Sequence, residues 1–418
     1  MVVTPKFMPI LTGDGQLLFC TRMVRLFAYG FLSVVLVLYL VEIGLTEIQI
    51  GLLLTLTLVG DTLISLWLTT VADRIGRRRV LIVGTMLMIF AGLLFALTRN
   101  FYLLLAAATI GVISPSGYEV GPFLSVEQAA LSQITRDELR THIFAWYNLV
   151  GTFATALGSL VGGASVQALE RISLTPIGSY RMVVAGYAVL GLAMTILFTR
   201  LSPDVEASPI GRNSVSHLVP QSWFGLKRSR GIVLKLSALF SLDAFAGGFI
   251  IQSLFAYWFY VRFHVEPATL GGIFFGANIL AGLSYLAAAH VASRIGLIKT
   301  MVFTHIPSNI LLILVPLMPS LPLAIAVLLV RFSISQMDVP TRQSYTMAVV
   351  APEERSAAAG ITGIARTIGA SLAPLFATPM LASAYLLSVP FFLAGGLKIV
   401  YDLALYQSFK AIKPPEEG

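Results

Sequence analysis

The sequence contains one cysteine, Cys20, so no intrachain disulfide can form, and it has neither a CxxC pair nor a His/Cys cluster that would hold a metal. Charge is scarce too. Only 11% of the 418 residues are Asp, Glu, Lys or Arg, against about a quarter in soluble proteins, while 57% are hydrophobic and the mean hydropathy is +0.86. A soluble fold is excluded by this composition, and the chain reads as an integral membrane protein. There is no GxxxxGK[ST], so ATP-driven work has no visible site and an ion gradient is the expected energy source. There is no HExxH and no nucleophile elbow, so the protein is not expected to be an enzyme, and no cofactor is implied. The formal charge of +8 is spread between apolar segments instead of forming a stripe, which fits membrane orientation and excludes a nucleic-acid partner.

What the sequence does have is length of apolar run. Segments able to cross about 30 Å of hydrocarbon lie at 16–43, 49–72, 79–98, 102–133, 142–168 and 182–201, then at 233–261, 268–291, 299–318, 321–349, 357–380 and 383–408. The first is too long for a signal h-region and is read as a retained span. Between the two sets lies a polar stretch with scattered Pro, Gly and Ser. Backbone hydrogen bonding in lipid requires these spans to be helices, since the alternation of a barrel is absent. The expected architecture is all-α, twelve transmembrane helices in two pseudo-symmetric six-helix bundles: 1–201, a linker 202–231, and 232–418 with a short tail. Basic residues in TTVADRIGRRRVL (Thr69–Leu81) mark a cytoplasmic hairpin. With both termini cytoplasmic, only Arg99, Arg171, Arg181 and Arg262 among the loop Lys and Arg fall outside.

The halves repeat each other. VADRIG (Val71–Gly76) returns as VASRIG (Val291–Gly296), RLFAYGF (Arg25–Phe31) as DAFAGGF (Asp243–Phe249), and RDELR, ending at Arg140, as PEER, ending at Arg355. A parallel six-plus-six duplication follows, with substrate expected near the midplane between the halves.

DRIGRRR after the second span resembles the G-x-x-x-D-R/K-x-G-R-R/K loop motif of the major facilitator superfamily, with Thr69 at the first glycine position. Gly158-Ser159-Leu160-Val161-Gly162-Gly163 is similar to the G-P-x-x-G-G signature of that family's drug/proton antiporters, with Ser159 in place of proline. The resemblance implies a transporter that works by alternating access. It also implies a gating latch built from Asp73, Arg74, Gly76, Arg77 and Arg78, in which Asp73 sits by the N-terminus of the eleventh helix near Ser356, with Arg140 or Arg136 as a partner. Topology alone is the competing reading of Arg77 to Arg79.

Charges within the spans are the remaining signal, because each costs roughly 2.5–3.5 kcal/mol to insert. The repeat aligns Arg25 with Asp243 and Glu127 with Arg342, both with inverted sign. The resemblance turns all four toward the cavity. Two ion pairs are therefore expected, Arg25 with Glu127 and Asp243 with Arg342, and they either couple protons to substrate or pin helices. In SPSGYEVGPF (Ser114–Phe123) the prolines and glycines bend the fourth helix around Glu119, which marks a polar or cation-binding pocket or a simple kink. Asp61 is a proton carrier or a buried hydrogen bond to Thr57 or Ser65. Tyr29 and Phe245 are candidates for substrate contact. Arg331 and Asp338 are spaced for one face of the tenth helix, Arg366 sits in the eleventh, and His305 reads as a satisfied polar group near a helix end.

These observations point to a monomeric, multi-pass protein of a bacterial inner (plasma) membrane. Its expected partners are a small-molecule substrate, protons and the lipid bilayer, and the function that the resemblance implies is proton-coupled export of a small organic solute. The alternative is a symporter importing an organic anion through Arg25 and Arg342. A transporter-like sensor would need a large soluble appendage.

Overall fold

A computed structural model of the chain describes residues 11–172, 175–206, 226, 228–351 and 354–410; at 137–142 and 356 it describes the backbone alone. Among the described residues there are helices and short 3-10 turns but no strand. Among the described residues nine helical segments are long and apolar enough to cross a membrane, Arg230–Phe263 counted as one, and a tenth span is made by α1 (Gly13–Ser33) and α2 (Leu36–Glu42), which meet at a 42° bend. The others in the N-terminal half are α3 (Glu47–Ile75), α4 (Arg77–Leu97), α5 (Phe101–Ile110), α6 (Phe123–Ile134), α7 (Asp137–Arg171) and α8 (Pro176–Thr199). In the C-terminal half they are α9 (Arg230–Gly248), α10 (Gln252–Phe263), α11 (Pro267–Ile295), α12 (Leu297–Leu314), α13 (Leu321–Phe332), α14 (Asp338–Ala348), α15 (Arg355–Ala382) and α16 (Val389–Phe409). Most of the linker expected at 202–231 falls outside the described residues.

Two compact units result. One takes the described residues of Met1–Gly44, Gly60–Leu218 and Pro267–Gly272; the other takes those of Leu45–Val59, Val219–Glu266 and Ile273–Gly418. In the first, α1 lies along α7 and α4 along α8; in the second, α9 lies along α15 and α12 along α16, so the same pairing recurs with the duplicated sequence. Close approach at matching positions holds it. A β-carbon on Gly30 of α1 would stand 2.1 Å from the Thr155 carbonyl oxygen of α7, and one on Gly248 of α9 would stand 2.5 Å from that of Ala370 on α15. The glycine signature in α7 belongs to this seam, since β-carbons on Gly158 and Gly162 would meet the Phe27 and Phe31 carbonyl oxygens at 2.0 and 2.1 Å. The repeated VADRIG and VASRIG hexamers each end on a glycine at positive φ, 112° at Gly76 and 87° at Gly296, which turns α3 into α4 and α11 into α12.

Besides the α1–α2 and α9–α10 pairs, two more expected helices are broken rather than continuous. The span expected at 102–133 is α5 and α6 separated by irregular backbone, and the span at 321–349 is α13 and α14 separated at 333–337. In the first, Pro115 and Pro122 withdraw backbone donors, and the chain leaves the helix instead of merely bending. Side chains take up the backbone groups this frees. The Tyr187 hydroxyl donates to the Val112 carbonyl at 2.8 Å, the Ser114 hydroxyl to that of Tyr118 at 2.6 Å, and the Tyr29 hydroxyl to that of Val120 at 3.1 Å. The Gly121 amide donates to Asp61 at 2.6 Å. In the second break, Pro340 sits in the first turn of α14, where it has no donor to offer a preceding turn, and the Gln336 amide donates to the Ser284 hydroxyl at 3.2 Å. Arg331 and Asp338 consequently stand on different helices, not on one face.

Candidate functional site

In the N-terminal unit, α1 presents Thr21, Arg22 and Arg25 within about one turn, so their side chains leave the same side of the helix. Arg25 is fully buried and grips Glu127 of α6 with two parallel bonds of 2.7 and 2.6 Å. That fork-to-fork geometry is the strong form of an arginine–carboxylate pair. Arg25 also reaches Glu119, in the irregular stretch before α6, at 3.2 and 3.1 Å. Arg22 pairs with Glu119 as well, and it donates to the Tyr147 carbonyl at 2.7 Å and to Asn148 at 3.0 Å. Glu127 is completed by the hydroxyls of Thr21, at 3.0 Å, and of Tyr147. Two arginines thus face two carboxylates. Glu119 is the more open of the pair, with 18% of its side chain exposed against none for Glu127.

In the C-terminal unit one carboxylate is shared. Asp243 of α9 accepts from Lys398 of α16 at 2.5 Å on one oxygen, and from Arg342 of α14 and Arg366 of α15 at 3.2 Å each on the other. Arg342 also donates to Asp338, one turn earlier on α14, at 2.9 Å. Arg366 has a third of its side chain exposed; the other members are nearly closed off.

Both expected ion pairs are therefore present. Glu119 belongs to the first of these clusters as an acceptor for two arginines, so a cation pocket at that carboxylate is already filled by protein. Asp61 bonds Ser65, at 3.4 Å, and the Gly121 amide; the salt bridges among the described residues do not include it. Tyr29 is wholly buried and holds the broken segment, whereas Phe245 is half-buried against Phe249 and Phe376. Sequence reasoning gives no role to Lys398 or Arg22 and groups Tyr147 with the aromatics near span ends, whereas its hydroxyl bonds Glu127. For Lys398 a signal existed, a lone lysine in an apolar run four residues before Asp402. His305 lies inside α12 rather than near its end and bonds Asp402, which was not singled out, at 2.8 Å.

The loop motif is organised within its own unit. Asp73 pairs with Arg77 at 2.9 Å, one turn along. Arg77 also donates to Gln133, at 2.8 Å, and to the Val205 carbonyl; Arg78 bonds the carbonyls of Leu201 and Thr199; Arg74 is exposed. Glu206 accepts from the Arg77 and Arg78 amides at 2.6 and 3.2 Å, placing a carboxylate on the positive end of α4. Glu354 does the same before α9, accepting from the Arg228 and Ser229 amides at 2.8 Å each. The expected partners of Asp73, Arg140 and Ser356, have side chains outside those described.

Paired helical units with charged residues facing one another inside apolar helices define a membrane transporter of the alternating-access, secondary-transport class. Residues 18–408 match the Major Facilitator Superfamily, and the chain belongs to that family. It is 32% identical over 96% of its length to an uncharacterized membrane protein of Saccharomyces cerevisiae, covering 94% of that protein. The yeast relative gives no support to the bacterial membrane expected from the sequence. A shorter match, 24% identical over 34% of this chain and 36% of the other, is to the quinolone resistance protein NorA of Staphylococcus aureus. Among solved structures, the nucleoside transporter NupG superposes with a TM-score of 0.71 at 15% identity, over 96% of this chain and all of that one. A D-xylose–proton symporter superposes with a TM-score of 0.73 at 13% identity, over 94% and 97%. At these identities the structures speak to the fold.

Proposed function

We propose that the protein is a proton-coupled secondary transporter exporting a small organic solute. The reading is carried by one observation: each duplicated unit holds a buried arginine–carboxylate cluster at the same place in the repeat, with the signs inverted, where structure alone would be served by apolar packing. Protonating a carboxylate in either cluster weakens its hold on an arginine, which then turns to substrate; return of the ion pair expels the substrate. The partial likeness to a resistance protein supports the outward direction. A second reading, uptake of an organic anion with protons, is favoured by the three cations that converge on Asp243, one of them partly open.

In proteoliposomes with an imposed pH gradient, the exporter moves substrate and protons in opposite directions, and co-directional flux establishes the symporter. Flux indifferent to the gradient overturns both. Substrate for the assay comes from a thermal-stability screen of the purified protein across metabolites, antibiotics and organic anions, since a specific ligand stabilises the folded state by mass action.

A further inference from the structure

The C-terminal unit contains a second buried titratable pair that lies outside the ion pairs so far described. His305, on α12, places Nδ1 2.8 Å from one Asp402 oxygen, and Asn309, one turn further on, donates to the other oxygen at 3.0 Å. Asp402 is fully buried and His305 almost so. With both its oxygens engaged as acceptors, the carboxylate fixes the hydrogen on Nδ1 and leaves Nε2 as the imidazole atom free to take a proton. Protonation at Nε2 turns a hydrogen bond into an ion pair without moving a heavy atom.

The repeat shows that packing does not require this pair. Thr85 of α4 stands where His305 stands in α12, at the same spacing as Val71 and Val291, and α4 and α8 are joined there by a neutral hydrogen bond, Thr195 to Thr85 at 2.8 Å. The N-terminal unit closes the helix seam with two threonines; the C-terminal unit closes it with a titratable couple, and that couple adjoins the charged cluster. Lys398 lies one turn before Asp402 on α16 and donates to Asp243 at 2.5 Å. Asp243, Asp338 and Asp402 stand in this group with Arg342, Arg366 and Lys398, and Arg331 of α13 is buried as well. A proton on His305 adds one positive charge to this group, and the partly open cation of the set is Arg366.

We propose that His305 and Asp402 form the proton-uptake element of the C-terminal unit, acting through Lys398 on the hold that Asp243 keeps on Arg366. His305 and Asp402 are positioning residues here, acting on substrate only through Lys398 and Asp243. The inference deepens the proton-coupled reading and rests on it. On the elements packed against α12, the charged and titratable residues are Lys398, Tyr401, Asp402 and Tyr406 on α16, Asp338, Arg342 and Tyr345 on α14, and Arg331 on α13; Asp243 stands on α9, bonded to Lys398. Tyr401 sets its ring edge-on to the imidazole at 6.1 Å, and its hydroxyl and the Asn309 Oδ1 atom are buried with no hydrogen-bond partner among the described residues.

The test is nitrogen NMR of the full-length protein, labelled with ¹⁵N-histidine and purified in detergent, across roughly pH 5–8. His305→Gln identifies the resonance. The expected result is a His305 signal that titrates, with a midpoint displaced by about one pH unit in opposite senses by Asp402→Asn and Lys398→Gln, which remove charges of opposite sign. Should His305→Gln fail to fold, the resonance that moves in both other variants is His305. A signal that does not titrate, or that ignores Lys398→Gln, overturns the proposal. Proteoliposome flux separates this from the broader reading: proton dependence that persists in His305→Gln refutes the role given to His305 and leaves proton coupling standing. A titrating, Lys398-sensitive His305 in a protein with no proton-dependent flux upholds the proton site and refutes coupling.

Discussion

The N-terminal cluster is built from whole partnerships, two arginines and two glutamates, with the central pair forked and wholly enclosed. The C-terminal cluster at the same place in the repeat instead gathers three cations onto one aspartate, leaves one of them a third exposed, and abuts a histidine. Inverting the sign of the residue on the first helix of each unit changes what the rest of the bundle must supply. Arg25 has five donors and is satisfied by two carboxylates that lie close by along α6 and its approach. Asp243 is short, accepts only, and draws long side chains from α14, α15 and α16. One cluster is locked between matched partners; the other is shared and partly open.

The largest expected effect tests this asymmetry directly. Removing one member of a buried ion pair costs about 3–5 kcal/mol, and Asp243→Asn, which takes the carboxylate from Lys398 and Arg366 and leaves Arg342 with Asp338 alone, is expected at the top of that range in thermal unfolding. Glu127→Gln is expected to cost less, because Glu119 remains bonded to Arg25. If Glu127→Gln proves the more damaging, the contrast between locked and shared clusters is wrong. Next come the helix seams: Gly30→Ala and Gly248→Ala each force backbone apart, at about 1–3 kcal/mol, with Gly30→Ala the worse because its added carbon meets a carbonyl oxygen at 2.1 Å instead of 2.5 Å. Equal losses at the two sites would show that the seams relax alike. Glu206→Gln and Glu354→Gln weaken the carboxylate seated on a helix start, each by about 1–2 kcal/mol, and salt is expected to narrow the difference from wild type more for the partly exposed Glu206. The smallest effect is that of Thr85→Val, below about 1 kcal/mol, with no change in the pH profile of transport. A shifted profile in that variant would remove the distinction drawn between the threonine pair and the His305–Asp402 couple.

Much of the site is legible in the sequence because duplication supplies internal alignment. Arg25–Glu127 and Asp243–Arg342 follow from charges that occupy matching positions with opposite sign, and each pair lies within its own unit. Lys398 and Arg366 were visible as charges in apolar runs, yet a span states only which residues share a helix, and the contacts to Asp243 cross from α15 and α16 to α9. The same holds for Glu206, whose partners lie more than a hundred residues earlier at the α4 N-terminus. The breaks were half legible: proline and glycine announce disorder in the helical ladder of the fourth span, but whether the ladder bends or ends depends on whether Tyr29, Asp61, Ser114 and Tyr187 are placed to take the freed backbone groups.

Composition and hydropathy, taken alone, settled that the chain lives in a membrane as helices, and its repeated segments that it is duplicated, since a low-dielectric solvent permits few ways to satisfy a backbone and makes each internal charge conspicuous; the loop motif's likeness to a known family added the transporter. Which charges meet, how many share a carboxylate, and which histidine lies beside them were decided by helix packing, because those distances depend on how neighbouring helices rotate and approach, and no local run of residues contains that information.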